Sequence, residues 1–434
     1  MHRLAVCILL ASLCSTVISN ESRVVCYYNS ESSLRKGSGK LTKNDLLFSA
    51  PYCTHLVYGY VGISGDNYQV NSLNEGLDIK RKHLTEVTSI KSEYPGLKVL
   101  LSVGGDRDID AKQPNKYIEL LEAGQEKQKE FIQSAHLFAK NFGFDGLDLA
   151  YQFPRNQPWN KEGIEKLKPN TEQLKEQFAT LVQNLKETLQ NDELILSVTV
   201  LPNVNSTWYF DIPALDKDVD FVNLAAFDFI TPQRNPHETD YSAPLYHIAT
   251  QNRLPHFNVD FQVQYWKQQG FPSNKLNLGF GIYGNTWRLT YESGESGVPI
   301  VYHAKGPAPG GPYTQKDGVA SYPEICTLLH NALLYKDSTT KEDQEAYGNY
   351  VHYSPFEPNT EGVWVSYDNI YALVSKARYA KNHVGGVAIF DLGYDDYQDG
   401  CNAGMFPIMQ FIRVNFLSEN ATYPEIDLAR IPIW

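Results

Sequence analysis

Three residues in one short stretch carry most of the chemical suggestion in this chain. The stretch from 144 to 154 reads FDGLDLAYQFP. Phe144 to Tyr151 is largely apolar, bounded by Gly143 and Gly146 and stopped by Pro154, which predicts a buried β-strand. Strand side chains alternate between two faces. Asp148, Ala150 and Gln152 should therefore share one face, with Leu147, Leu149 and Tyr151 on the other. An acid, a small residue and an amide in register are hard to explain as core. A carboxamide has no proton to give near neutral pH, so Gln152 can hold a polar ligand but cannot act as a general acid. The alternative is a strand end with a solvated Asp and Gln.

Such a strand needs neighbours, and eight short apolar runs follow one another along the chain. They begin at Arg23, His55, Lys98, Phe144, Leu194, Phe221, Leu276 and Gly385. Each is nearly continuous in apolar residues, as expected of strands buried on both faces. Helical spacing lies between several of them. Phe131, Ile132, Ala135, Phe138 and Ala139 mark one helix within 125–142, and Leu174, Phe178, Leu181, Val182, Leu185 and Leu189 mark another within 171–189. Strands alternating with helices imply a parallel sheet. Eight of them imply an α/β chain folded as a (β/α)8 TIM barrel, with its working face at the C-terminal strand ends, where Gln152 stands.

Two stretches break the rhythm. About 100 residues separate the seventh and eighth strands. Within them 300–312 is rich in Gly and Pro, and 347–367 is Tyr- and Val-rich and β-like. A small α+β insertion domain over 286–365 is expected there. Residues 155–170, charged and carrying Pro158 and Trp159, should overhang the barrel mouth.

Residues 1–19 have the layout of a signal peptide: Arg3, an apolar run from Leu4 to Leu13, and small residues at Val17 and Ser19. The expected product, residues 20–434, is secreted and extracellular, with no membrane insertion, because no later run reaches the length of a bilayer span. The formal charge of −12 becomes −13 when Arg3 leaves, which argues against nucleic-acid partners. Cys26, Cys53, Cys326 and Cys401 remain after cleavage, an even number in an oxidising compartment that allows three connectivities. No cysteine or histidine spacing suggests a metal, and no cofactor is implied. Asn205 and Asn420 head sequons suited to N-glycans.

The 144–154 stretch resembles the D-x-x-D-x-D-x-E signature of family-18 glycoside hydrolases, the chitinases. Asp145 and Asp148 match the first two acids, while Ala150 and Gln152 stand where the third Asp and the catalytic Glu belong. The likeness covers essentially the whole mature chain. Ser102–Gly105 (SVGG) matches the third-strand motif, with Asp106 where a sugar-stacking Trp is usual. The sixth strand ends in Ala225-Ala226-Phe227-Asp228, lacking the usual Met and the Tyr hydroxyl. Tyr283-Gly284-Asn285 lacks the usual Arg, and Phe390 replaces the Trp of the barrel floor. In such enzymes the Glu protonates the leaving oxygen and the substrate's acetamide attacks the sugar. The resemblance therefore implies a degenerate site (Asp145, Asp148, Ala150, Gln152) with no catalytic residue. It leaves Asp148, Gln152, Phe227, Asp228, Tyr283 and Phe390 as residual ligand-binding positions.

Within that superfamily the pattern is most similar to the insect imaginal disc growth factors. That resemblance implies a secreted, non-hydrolytic glycoprotein that acts on imaginal disc cells in proliferation, polarity and motility. Its implied partner is an insulin-like peptide or its receptor. The competing reading is a lectin that holds chitin oligosaccharides or other glycans in the residual groove. On a barrel with this insertion, Cys26 should pair with Cys53 across the first two strands, and Cys326 with Cys401, tying the insertion to the segment after the eighth strand.

Overall fold

The computed structural model describes residues 22–155, 171–248, 253–290, 293, 303–330, 337–343, 347–354 and 361–418. The expected signal peptide, Asn420 and all of the 155–170 segment except Arg155 lie outside the described residues.

Eight parallel strands form the centre. They are β1 (Arg23–Asn29), β2 (His55–Ile63), β3 (Lys98–Gly104), β4 (Gly146–Ala150), β5 (Ile195–Val200), β6 (Phe221–Leu224), β7 (Leu276–Gly281) and β8 (Gly386–Phe390). Each pairs with the next, and β1 pairs with both β2 and β8, so the sheet closes into a (β/α)8 barrel. Closure removes both sheet edges. The apolar runs are continuous because both faces of every strand are covered. One face packs outward against helices. Leu174, Phe178, Leu181, Val182, Leu185 and Leu189 of helix Thr171–Leu189 are buried, at the spacing of one helical stripe. The opposite face fills the barrel with a separate cluster that includes Val25, Tyr27, Val57, Leu100, Ala388 and Phe390.

Between β7 and β8 the chain builds a second, mostly antiparallel sheet. Its strands run in the order Ala304–Pro307, Gly284–Leu289, Gly362–Tyr367, Gly348–Ser354 and Asp337–Asp343, with Val319–Ala320 also pairing with Gly284–Leu289. Trp287 and Trp364 sit opposite each other in register, and Tyr350 stacks on Trp364 with ring centroids 4.9 Å apart. This aromatic face belongs to the main core, and the Trp287 indole donates to the carbonyl of Asn235 at 2.9 Å. The other face carries a small cluster of its own, in which Ile325 and Leu329 of helix Tyr322–His330 cover Ala320, Val351 and Val365. Cys26 is bonded to Cys53, and Cys326 to Cys401.

Candidate functional site at the barrel mouth

Strand β4 supplies the centre of the site. Asp148 is wholly buried. Ser102 Oγ from β3 and the Tyr27 hydroxyl from β1 donate to its Oδ2 at 2.7 and 3.2 Å. Ser197 Oγ and Thr199 Oγ1 from β5 each donate to its Oδ1 at 2.8 Å. The network continues downward: Asn223 Nδ2 reaches the Tyr27 oxygen at 2.8 Å, Asn277 Nδ2 reaches Asn223 Oδ1 at 2.8 Å, and Arg23 Nε reaches Asn277 Oδ1 at 3.0 Å. Burial raises the Asp148 pKa, and the four hydroxyls oppose that shift without cancelling it.

Gln152 follows the strand by two residues. The strand ends at Ala150, and the Gln152 amide turns toward the loop after β3. There its Nε2 donates to the carbonyls of Gly105 and, at 3.1 Å, Asp108. Gln152 thus lies two residues beyond the last paired residue of β4, with its amide tied to the backbone of the loop after β3. The close approach behind it requires glycine: Gly104 has φ +103°, and a Cβ there would lie 2.4 Å from the Ala150 carbonyl oxygen. Ala150 presents only a methyl group and is fully buried.

Asp145 lies at the opposite end of the strand. Its Oδ2 accepts from the Val99 amide at 2.7 Å, and its Oδ1 pairs with Lys91 at 3.0 Å. It caps the start of β3, so it is an architectural carboxylate rather than part of the mouth.

The remaining positions form a connected aromatic floor. Tyr27 stacks on Phe390 with centroids 3.9 Å apart, Phe390 meets Phe227 at 5.2 Å, Phe227 meets Tyr283 at 6.2 Å, and Tyr283 meets Tyr394 at 4.8 Å. One face of Phe390 is thus taken by the protein itself. Asp228, at φ +53°, accepts from the Tyr283 hydroxyl at 2.6 Å and from Asn285 Nδ2 at 2.7 Å, and Arg234 donates to its backbone carbonyl. Burial again raises the carboxyl pKa, opposed by Tyr283, Arg234 and Asn285. At the rim, Arg155 joins three loops: it pairs with Asp106 after β3, donates to the Pro202 carbonyl after β5, and its backbone bridges to Val204.

Asn205 sits just beyond β5, where it caps the short helix Ser206–Tyr209. Its Oδ1 accepts from the backbone of Thr207 at 2.9 Å and from the Thr207 hydroxyl at 2.7 Å.

The structure thus gathers Asp148, Phe227, Asp228, Tyr283 and Phe390, ties Gln152 to the loop after β3, and places Asp145 at the other end of β4. Sequence reasoning missed Tyr27, Ser102, Ser197, Thr199, Asn223 and Asn277. Their signal was a polar residue at an inward position in strand after strand, which looks accidental until the strands are aligned.

These groups lie around the C-terminal end of a closed eight-stranded barrel that carries a sheet inserted before its last strand, the end at which (β/α)8 barrels place their working residues. The profile of glycosyl hydrolases family 18 matches residues 23–395, and the chain belongs to that family. Its relatives include the chitinase-like protein Idgf2 of Drosophila melanogaster, 51% identical over 90% of this chain and 94% of the relative. The chitinase-like protein Idgf3 of Drosophila simulans is 40% identical over 95% and 99%. Among solved structures, the Group IV chitinase of Ostrinia furnacalis superposes with a TM-score of 0.78 at 29% identity, covering 92% of this chain and all of that one. Human YKL-39, described as a pseudo-chitinase with retained chitooligosaccharide binding, gives 0.73 at 27% identity, again covering 92% of this chain and all of that one.

Proposed function

We propose that this chain is a secreted, non-hydrolytic member of its family that acts as a growth factor on imaginal disc cells together with an insulin-like peptide. The supporting observation is the state of the acid position. Gln152 donates its amide N–H groups to two backbone carbonyls, and Ala150, two residues before it, carries only a methyl group. A group that spends its donors on carbonyls and has no acidic proton cannot protonate a leaving oxygen, a role that contributes about 10²–10⁴ in rate. The names of the Idgf relatives support the signalling half of the reading. Secretion rests on the leader-like residues 1–19, and N-glycans are expected at Asn205 and Asn420.

Incubation with chitopentaose, followed by mass spectrometry, tests the first half: no shorter oligosaccharide should accumulate. A growth assay on disc cells with an insulin-like peptide present tests the second. The wild type is compared there with a near-isosteric groove variant, Asp228→Asn with Tyr283→Phe, and with a deletion of 157–168. Activity kept by the groove variant and lost on deletion supports action through the rim.

A second reading, a chitin- or glycan-binding lectin, is favoured by one observation: the Tyr283 hydroxyl and the Asp228 carboxylate meet beside the Phe227 ring, a polar pair next to an aromatic face suited to a sugar. Titration with chitotetraose, lost in the groove variant, would establish it.

A further inference from the structure

The chain as a whole is acidic, but its charge is unevenly spread. Residues 33–44 read SLRKGSGKLTKN, with four cations and no acid, and residues 79–85 read IKRKHLT, with three cations and no acid. The two stretches follow neighbouring strands. β1 and β2 pair in parallel, from Val25 opposite His55 to Asn29 opposite Gly59, so the connections that leave them emerge side by side. Two contacts tie those connections together. The Tyr28 hydroxyl of β1 meets His83 Nε2 at 2.7 Å, and Lys43 Nζ donates to Ser89 Oγ at 3.1 Å. Lys82 and Ser89 bracket the single helix His83–Thr88, about 9 Å long.

The first connection is held on two sides. Leu41 is fully buried, and its amide donates to the Ser32 carbonyl at 3.0 Å, closing the loop on itself. Gln315 Nε2 donates to the Lys36 carbonyl at 3.3 Å, and a Cβ at Gly39 would lie 2.3 Å from the Tyr313 carbonyl oxygen, so the loop rests against the insert. Arg35 turns inward to the Gly393 carbonyl and the Tyr394 ring, while Lys36 and Lys40 stay exposed. In the second connection Ile79, Lys80, Arg81 and Lys82 are all exposed, and Lys82 has φ +58°. Gly or Asn takes that left-handed conformation more readily, yet a third cation stands there.

These cations lack the partners that others have. Among the described residues Lys36, Lys40, Lys43, Lys80, Arg81 and Lys82 form no ion pair, whereas Lys91, Lys140 and Lys186, further round the barrel, hold an Asp at 3.0, 2.8 and 2.7 Å. Nearby acids are engaged elsewhere. Asp45 accepts from the Thr42 amide at 2.7 Å, Asp78 is buried under the Tyr58 hydroxyl, Glu86 meets His83 Nδ1 at 2.8 Å, and Glu31 holds Arg107. Exposed Glu75 subtracts one charge. Like charges left unneutralised on one flank repel one another, and an anionic partner relieves that repulsion. The acidity of the whole chain does not cancel this local field, because charges beyond about 8 Å are largely screened at physiological salt.

We propose that this flank binds a sulfated linear polysaccharide, with successive sulfates laid across the two connections. A polymer that repeats its charge along its length matches cations spread over two adjacent loops, whereas a small anion would use one of them. Leu34 and Ile79, each 42% exposed in the same connections, make an anionic membrane surface the competing partner. Against it, the cations sit on irregular loops rather than on the polar face of an amphipathic helix. The surface is separate from the residual groove and shares with the proposed function only the expectation of secretion.

The test uses the full secreted protein and a heparin dodecasaccharide, titrated by calorimetry at several salt concentrations. Binding should be saturable at about 0.15 M NaCl and weaken steeply as salt rises. Lys80→Ala with Arg81→Ala and Lys82→Ala, and separately Lys36→Ala with Lys40→Ala and Lys43→Ala, should each weaken it at least about tenfold and flatten the salt dependence, with the melting temperature retained. Lys98→Ala with Lys129→Ala and Lys217→Ala removes the same charge from exposed positions elsewhere and should change the affinity less than about twofold. Hyaluronan, which carries carboxylates and no sulfate, and phosphatidylserine vesicles should compete poorly. Absence of saturable binding, an equal loss in the Lys98, Lys129 and Lys217 variant, or competition by vesicles or hyaluronan as strong as that of heparin would overturn the proposal.

Discussion

The barrel interior and the outer face of the inserted sheet treat buried polar atoms in opposite ways. In the barrel, Asp148 accepts from four hydroxyls, and those hydroxyls are in turn linked through Asn223 and Asn277 to Arg23. On the insert, Thr286 Oγ1 and Arg288 Nε are buried with no hydrogen-bond partner among the described residues. A buried polar group is costly unless bonded. A polar centre that has satisfied itself has become structure, while one left unpaired is a cost that the packing around it must offset.

The sharpest way to break this contrast is to remove the barrel's acceptor. Asp148→Ala strands several buried hydroxyls at once and should cost about 3–5 kcal/mol in urea denaturation. A loss under about 1 kcal/mol would mean the network is not structural. The next effect concerns pH. Asp395, wholly buried after β8, accepts from the amides of Ile408 and Met409 at the start of helix Pro407–Leu417, yet burial pushes its carboxyl up to about 7. The folded state then holds a proton that the unfolded chain gives up near pH 4. The associated stability is present in acid and lost as pH rises through 7. Relative to Asp395→Asn, the wild type should lose on the order of 3 kcal/mol between pH 4 and pH 8. Parallel curves for the two proteins would refute the assignment.

A smaller loss is expected from Gln152→Glu. Its carboxylate would face the carbonyls of Gly105 and Asp108, costing about 1–3 kcal/mol at pH 8 and less at pH 5. The variant should still release no product from chitopentaose, because Ala150 cannot steady the acetamide. The smallest effect has the opposite sign. Thr286→Val removes a hydroxyl with no hydrogen-bond partner among the described residues and should leave the protein unchanged or stabilise it by up to about 1 kcal/mol. Measurable destabilisation would show that the hydroxyl has a partner within the protein.

The eight barrel strands were legible because a strand covered on both faces must be apolar at nearly every position, as in the LILSVTV run from Leu194. The helix over Thr171–Leu189 was legible from a stripe of six residues. What the sequence left open was local. The partners of Gln152 come from a loop remote in sequence, the carbonyls of Gly105 and Asp108. Asp145 shares a motif with Asp148 and could be read as a ligand or as a cap on strand-end amides; three residues of strand carry it to the other end, where it caps the Val99 amide.

The Cys326–Cys401 bond has a mechanical meaning. The insert leaves the barrel after β7 and returns through helix Ile370–His383 to β8, two chain crossings that by themselves define a hinge line. The disulfide adds a third attachment, from helix Tyr322–His330 to a turn that Asp396 grips through the amides of Gly400 and Cys401 at 2.9 and 2.8 Å. The bond therefore fastens the helix side of the insert, while its other face is already fastened by Trp287, Tyr350 and Trp364 packing in the main core. Reduction would release the helix side alone and leave the aromatic face in place.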